Sequence, residues 1–387
     1  MALLSPDEQQ LTVRGRVPRE LVGALLQAHP HPGLCSRRHP ESTPLAVSGV
    51  RFRRGEVSWY QAGAGRRPCP FGPVAALDVP VRLAGLPRLA EGQGTAAWPM
   101  RDPVSKHWHT VVTYAERKYA DHLLVADGGA VLRTQRFALD QAPLMHTVAV
   151  TERYLVVFDL PVTYRRAAAL VGERTPYSWQ ADRRARIGLL PRDADGDVTP
   201  RWFDVDPGYT FRTVNAYDDG ERVVVDALWH EGAPEDLATQ GPAPVVRWTL
   251  DLRTGTARSH ALTDEVRVAV ADPSVAGRQH RFLFSANGNT IARHDLRTGR
   301  TGTHDFGAGR RPGQPVLVSG VEVGAEGGGW VMAFVEDVAE RSATAFVFDA
   351  TDVAGEPVAE IPLPACVPTS PRATWVPAGP ARSKEMR

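Results

Sequence analysis

Histidine has the widest chemical reach in this sequence, because a neutral imidazole can move a proton near pH 7 or ligate a metal. The chain has 12 of them. His107 and His109 stand two apart in HWHTVVTY. On a strand they share one face, which is usable metal geometry, although such pairs also serve simply as packing. His29, His31 and His39 gather in a proline-rich stretch near the N-terminus, and His146 heads the run HTVAV. The three cysteines, Cys35, Cys69 and Cys366, are odd in number and lack C-x-x-C spacing. They read as unpaired thiols, not as a disulfide framework or a zinc site. No G-x-x-x-x-G-K-[ST], G-x-S-x-G, H-E-x-x-H or EF-hand loop occurs, so the common phosphate, nucleophile and metal motifs name no activity. The glycine run GAEGGGW (324–330) lies between strand-like runs and reads as a hairpin loop, not a phosphate cradle.

The elements that must position these residues are strands. Gly 35 and Pro 32 are spread along all 387 residues, punctuating many short elements. Period-two alternation with β-branched residues recurs at 47–61, 107–114, 147–161, 222–229, 244–252, 281–286, 330–337 and 344–350, each followed by turn chemistry. The chain therefore reads as all-β. WTLDLRTGTAR and IARHDLRTGRTG repeat one turn with its aspartates at 251 and 295, and a third version places Asp349 after FVF. Spacings of this size match one four-stranded propeller blade per repeat, and the length supplies roughly seven blades. The expectation is a single seven-bladed β-propeller over 1–377, with its ligand in an axial cavity and a polar, disordered tail at 378–387. A net charge of +1 gives no field for nucleic acid or an anionic membrane. Neither a basic leader nor a run of ~20 apolar residues is evident, so a soluble cytoplasmic protein without stable membrane insertion is expected.

Several segments together resemble the carotenoid cleavage oxygenase family. LTVRGRVPRELVGALLQAHPHP is similar to that family's entry phrase, and PLMHTVAVTERYLVVFDLPV (143–162) to its "MMHDFAxTxxYxVFxDLP" strand pair. WFDVDPGYTFRTVNAYDDGERVVVDAL (202–228), GRQHRFLF (277–284), HDLRTGRTGTHDFGAGRRPGQPVLV (294–318) and ATWVP (373–377) follow in the family's order. The resemblance implies a seven-bladed propeller whose axis, in relatives, carries four histidines on a ferrous iron, most of them held by glutamates.

Carried over position by position, the resemblance leaves little of that centre. The first histidine falls on Trp98, the second is kept as His146, the third falls on Arg212 and the fourth on Arg372. Asp218 replaces the glutamate after "N-A-Y", Gln314 that of "G-E-P-V-F-V", and Arg267 aligns with a third; the stretch 74–93 departs from the pattern. A guanidinium offers only donors and an indole has no lone pair to give, so these residues repel or ignore Fe(II). The expectation is a metal-independent centre with His146, Arg212 and Arg372 acting on a substrate, and with Trp98, Arg267, Asp218 and Gln314 contacting it. The ligand implied is a polyene or terpenoid with an anionic or carbonyl group, cyclised or isomerised without a cofactor. Two alternatives stand beside it. One is a non-catalytic binding protein, and the other an iron-dependent dioxygenase with a remodelled site drawing on His107, His109 and His146.

Overall fold

A computed structural model describes residues 9–30, 45–62, 94–114, 117–126, 129–171, 176–194, 196–232, 241–319, 326–364 and 373–378. Among them the regular structure is almost entirely extended, with one short α-helix at Arg166–Leu170. The alternating runs become strands such as Trp108–Tyr114, Arg222–Glu231, Ala243–Asp251 and Trp330–Asp337. The run 47–61 is a hairpin, Leu45–Arg53 and Glu56–Ala62, turning at Arg54 and Gly55 with φ of 50° and 96°. The run 147–161 breaks into Ala149–Val150 and Tyr154–Asp159.

Among the described residues seven sheets form: four of four strands, one of five, one of six, and the two-stranded ribbon Val162–Tyr164 with Tyr177–Trp179. Within most sheets the strands follow chain order, as in Gly208–Asp219, Arg222–Glu231, Ala243–Asp251 and Thr256–Val266. Two pairings depart from it: Arg14–Gly15 joins Ala359–Pro362, and Ala373–Pro377 joins Gly23–Pro30. Both tie the two ends of the chain into common sheets, the closure expected of a radial fold. The repeated turns at Asp251 and Asp295 lie between the third and fourth strands of their sheets. The Asp251 carboxylate accepts from the N–H groups of Arg253 and Thr254, and Gly255 closes the turn at φ 74°. Asp295 does the same toward Arg297, with Gly299 at φ 69°. An aspartate acceptor followed by a left-handed glycine is what this turn requires.

By compactness the chain divides into Met1–Val79 with Phe284–Arg387, and Pro80–Leu283. The first unit is built on Leu25, Val50, Phe52, Phe334, Val347 and Ile361. In the second unit, one cluster joins Phe158, Ile187, Phe203, Val225 and Trp248. Another joins Val111, Phe137, Met145, Leu155 and Leu190. Burial falls across the sheet that begins at Gly208. Arg222–Glu231 is buried over seven consecutive residues, whereas Thr256–Val266, the fourth strand, is largely exposed. Strands covered on both faces read as continuous apolar runs. A polar side chain on an early strand is thus buried and needs a partner, and there the candidate site lies.

Candidate functional site

His146 lies three residues before the edge strand Ala149–Val150, and Arg212 lies on the edge strand Gly208–Asp219. Edge strands carry unpaired backbone groups that something must satisfy. Two threonines do so between these strands. Thr147 Oγ1 lies 3.0 Å from Thr213 Oγ1, the Thr213 N–H donates to Thr147 Oγ1 at 3.3 Å, and Thr213 Oγ1 donates to the Val148 carbonyl at 2.7 Å. The clasp sets His146 Nδ1 3.1 Å from the Phe211 carbonyl oxygen. A carbonyl only accepts, so Nδ1 carries the hydrogen and Nε2 keeps its lone pair. The Trp98 backbone N–H donates to the His146 carbonyl at 2.8 Å, and Trp98 forms a parallel bridge with Thr147. Trp98, His146 and Arg212 thus belong to one backbone junction, and all three are half-buried. A β-bulge lies between Tyr209 and Arg212, the device by which strands re-aim a side chain.

An aromatic wall extends from His146. The Phe211 ring meets the imidazole edge-on at 5.1 Å between centroids. Tyr209 contacts Phe211 at 5.2 Å, and His230 stacks on Tyr209 at 4.7 Å with 9° between the planes. Gly208 permits this packing, since a Cβ there would lie 2.3 Å from Trp229 Nε1. Burial lowers the pKa of His230.

The remaining sequence-derived candidates are placed elsewhere. Asp218 accepts from the backbone N–H of Arg153 at 3.0 Å and from its guanidinium at 3.1 Å. Arg267 is exposed between Thr256–Val266 and Val268–Ala271. Gln314 belongs to the other compact unit, where its amide donates to the Ala373 carbonyl at 3.1 Å. Arg372, the cysteines, His31, His39, the stretch 74–93 and the tail from 379 lie outside the described residues.

His109 does not pair with His107. Its Nδ1 lies 3.0 Å from His122 Nε2 on the next strand, and His122 Nδ1 lies 2.6 Å from Gln135 Oε1. The glutamine oxygen can only accept, so each imidazole donates from Nδ1 and accepts at Nε2. His109 Nε2 then faces the Arg192 guanidinium at 3.5 Å, and Arg192 is ion-paired with Asp102. Burial, followed by the neighbouring His122, pushes His109 down to about 3, and burial takes His122 to about 4. Burial opposes ionisation of Asp102, but the Val104 N–H and the Arg192 guanidinium outweigh it and hold the carboxyl at about 2. A second network holds Asp226 between Arg247 and His280, whose Nε2 is 3.0 Å away. Asn215 donates to His280 Nδ1 at 3.1 Å and accepts from the Gly277 N–H at 3.0 Å. Between the two networks opens a cleft of about 310 Å³, lined by Met100, Asp102, Thr151, Arg192, Asn215 and Gly277. Its polar walls are engaged in holding the fold.

A ferrous ion needs several imidazole or carboxylate donors converging on one point. Among the described residues no three His, Cys, Asp or Glu side chains do so. At the His146 junction the flanking side-chain types are indole and guanidinium, so the described residues there do not fit such an ion.

The strands and sheets are those of a β-propeller, and comparison with known proteins gives the class. The chain superimposes on a lignostilbene dioxygenase of Pseudomonas brassicacearum with a TM-score of 0.80, at 20% identity, covering 97% of this chain and 96% of that one. A cobalt-substituted Synechocystis ACO gives 0.81 at 19% identity, with 97% of each chain covered. These likenesses show the fold, the all-β seven-bladed propeller expected from the sequence. A carotenoid cleavage oxygenase of Mycobacterium tuberculosis is 24% identical over 476 aligned positions, spanning 95% of this chain and 94% of that protein. The retinal pigment epithelial membrane protein (RPE65) family matches residues 76–377. The chain belongs to this family. Among the described residues no helix is long and apolar enough to cross a membrane.

Sequence reasoning missed Thr147, Thr213, His122 and His230. Each lacks a local motif, and each matters through a partner on another strand.

Proposed function

We propose that this chain binds a polyene or terpenoid small molecule bearing an anionic or carbonyl group, and isomerises or cyclises it without iron at His146. The observation that carries the reading is the junction itself. One imidazole is fixed in a single tautomer by the Phe211 carbonyl, and the backbones of Trp98 and Arg212, at positions where relatives are expected to hold metal-binding histidines, belong to the same junction. The relatives are named for carotenoids and lignostilbene, compounds with conjugated double bonds, and the wall of Phe211 and Tyr209 suits such a ligand.

The chemistry needs no oxidant. His146 Nε2 takes a proton from a carbon next to the conjugated system, and the electron pair spreads along the chain. The guanidinium of Arg212 stabilises the developing negative charge. Returning the proton to a different carbon shifts the double bonds. If the carbanion first adds to a double bond within the same molecule, a ring closes and the proton is delivered to the new carbanion.

Two measurements test this. After anaerobic incubation with excess Fe(II) and desalting, elemental mass spectrometry is expected to find iron far below one equivalent; stoichiometric iron overturns the proposal. Arg212→Met is expected to keep the circular dichroism of the parent and lose turnover of a polyene carboxylate. An unchanged rate removes Arg212 from the mechanism, and a ligand always recovered unaltered from the wild type reduces the protein to a binder.

A further inference from the structure

A peptide unit is planar and trans, so its N–H and C=O point in opposite directions and turn together. The unit between Phe211 and Arg212 is held at both ends. Its carbonyl accepts from His146 Nδ1 at 3.1 Å, and its N–H, on Arg212, donates to Thr210 Oγ1 at 3.2 Å. The Thr210 hydroxyl in turn donates to the Arg212 carbonyl at 3.0 Å. One hydroxyl thus ties the backbone of Arg212 on both sides of its Cα. It does so inside the β-bulge, where Tyr209 faces His230 and Arg212 faces Leu228, three steps along one strand against two along the other. The extra residue bends the strand away from a regular ladder, and a threonine hydroxyl two residues away can hold such a bend through the backbone. Thr210 is buried, so bulk water does not stand in for its hydroxyl.

We propose that Thr210 is a positioning residue for the chemistry at His146: its hydroxyl sets the direction of the Phe211 carbonyl and, through it, the tautomer of the imidazole. This rests on the function proposed above and names what holds that site ready. With the Arg212 N–H on Thr210, the carbonyl at the other end of the same plane meets the hydrogen on Nδ1, and Nε2 keeps the lone pair with which it takes a proton. Bonds linked in such a chain also polarise one another. Without the hydroxyl, the N–H and C=O of Arg212 lose their shared partner and the peptide plane can rotate. The imidazole then loses the acceptor that favours hydrogen on Nδ1. The same loss releases the Cα that carries the Arg212 side chain. Thr210 acts through these two residues and not on the ligand.

The test reads the ring nitrogens of His146 by long-range proton–nitrogen NMR of the full chain, isotopically labelled in histidine, with the signals assigned by their loss in His146→Asn. Wild type is expected to carry its hydrogen on Nδ1 and a lone pair on Nε2. Thr210→Val keeps the branched shape without the hydroxyl and is expected to move the tautomer ratio about tenfold toward hydrogen on Nε2. Thr210→Ser restores the hydroxyl and is expected to return the wild-type spectrum, a rescue that a purely packing role for the threonine would not produce. Where circular dichroism shows Thr210→Val unfolded, Thr210→Ala carries the same comparison. A Thr210→Val spectrum identical with wild type, or a Thr210→Ser spectrum like that of Thr210→Val, overturns the assignment of Thr210 and leaves the functional reading standing. A wild type with its hydrogen on Nε2 removes His146 as the base and overturns both. These spectra need no substrate, so they decide Thr210 apart from the iron and turnover measurements that decide the function itself.

Discussion

The paired imidazoles His109 and His122 make the stability of this protein depend on pH in a defined window. Each donates from Nδ1 and accepts at Nε2 along a chain that ends on Gln135, so a proton added to either sets a donor against a donor. In the folded chain they titrate at about 3 and about 4, against about 6.5 in an unfolded chain. The folded values are depressed, so below pH 6.5 the unfolded chain binds more protons. The stability this contributes is complete above pH 6.5 and is lost as pH falls toward the folded values. Between pH 7.5 and 5.0 each imidazole accounts for about 2 kcal/mol, together about 4 kcal/mol, at a limiting slope of about 1.4 kcal/mol per pH unit apiece. Asp102, held at about 2, loses its contribution only at lower pH and does not blur this window. The assay is urea unfolding followed by tryptophan fluorescence at pH 7.5, 6.5, 5.5 and 5.0, on wild type and on the double variant His109→Gln/His122→Gln. The variant is expected to be less stable at pH 7.5 and flatter in its pH dependence. Parallel profiles refute the reasoning, as does an NMR titration in which either wild-type histidine has its midpoint near 6.5.

The other expectations concern packing around the site. Asp226 is fully buried between Arg247 and His280; Asp226→Ala leaves a buried guanidinium without its counter-ion and is expected to cost about 3–5 kcal/mol, read as a fall in the urea midpoint. Gly208→Ala places a methyl 2.3 Å from Trp229 Nε1 and 2.7 Å from the His230 carbonyl. It is expected to cost about 1–3 kcal/mol, read as a fall in the urea midpoint; full stability would contradict the packing described.

What the sequence discloses about this site follows the range of the interactions that build it. The strands are legible because alternation and turn chemistry are local. The D-L-R-T-G segments carry their own acceptor and their own left-handed glycine, and both form the same turn. The meeting of Trp98, His146 and Arg212 is legible only through family phrases, since 48 and 66 residues separate them along the chain. The pairings of His122 with His109, and of His230 with Tyr209, depend on strand register and on the bulge before Arg212, which no composition or period encodes. Asp218 marks the boundary between the two kinds of information. Its place after N-A-Y suggests a partner for the arginine at the centre. Yet six residues of strand separate it from Arg212, about 20 Å at 3.3 Å per residue, and Arg153 on the neighbouring sheet takes its carboxylate. Spacing along one strand is thus a constraint that the sequence itself carries, and it argues that Arg212 does not use Asp218 to neutralise its charge.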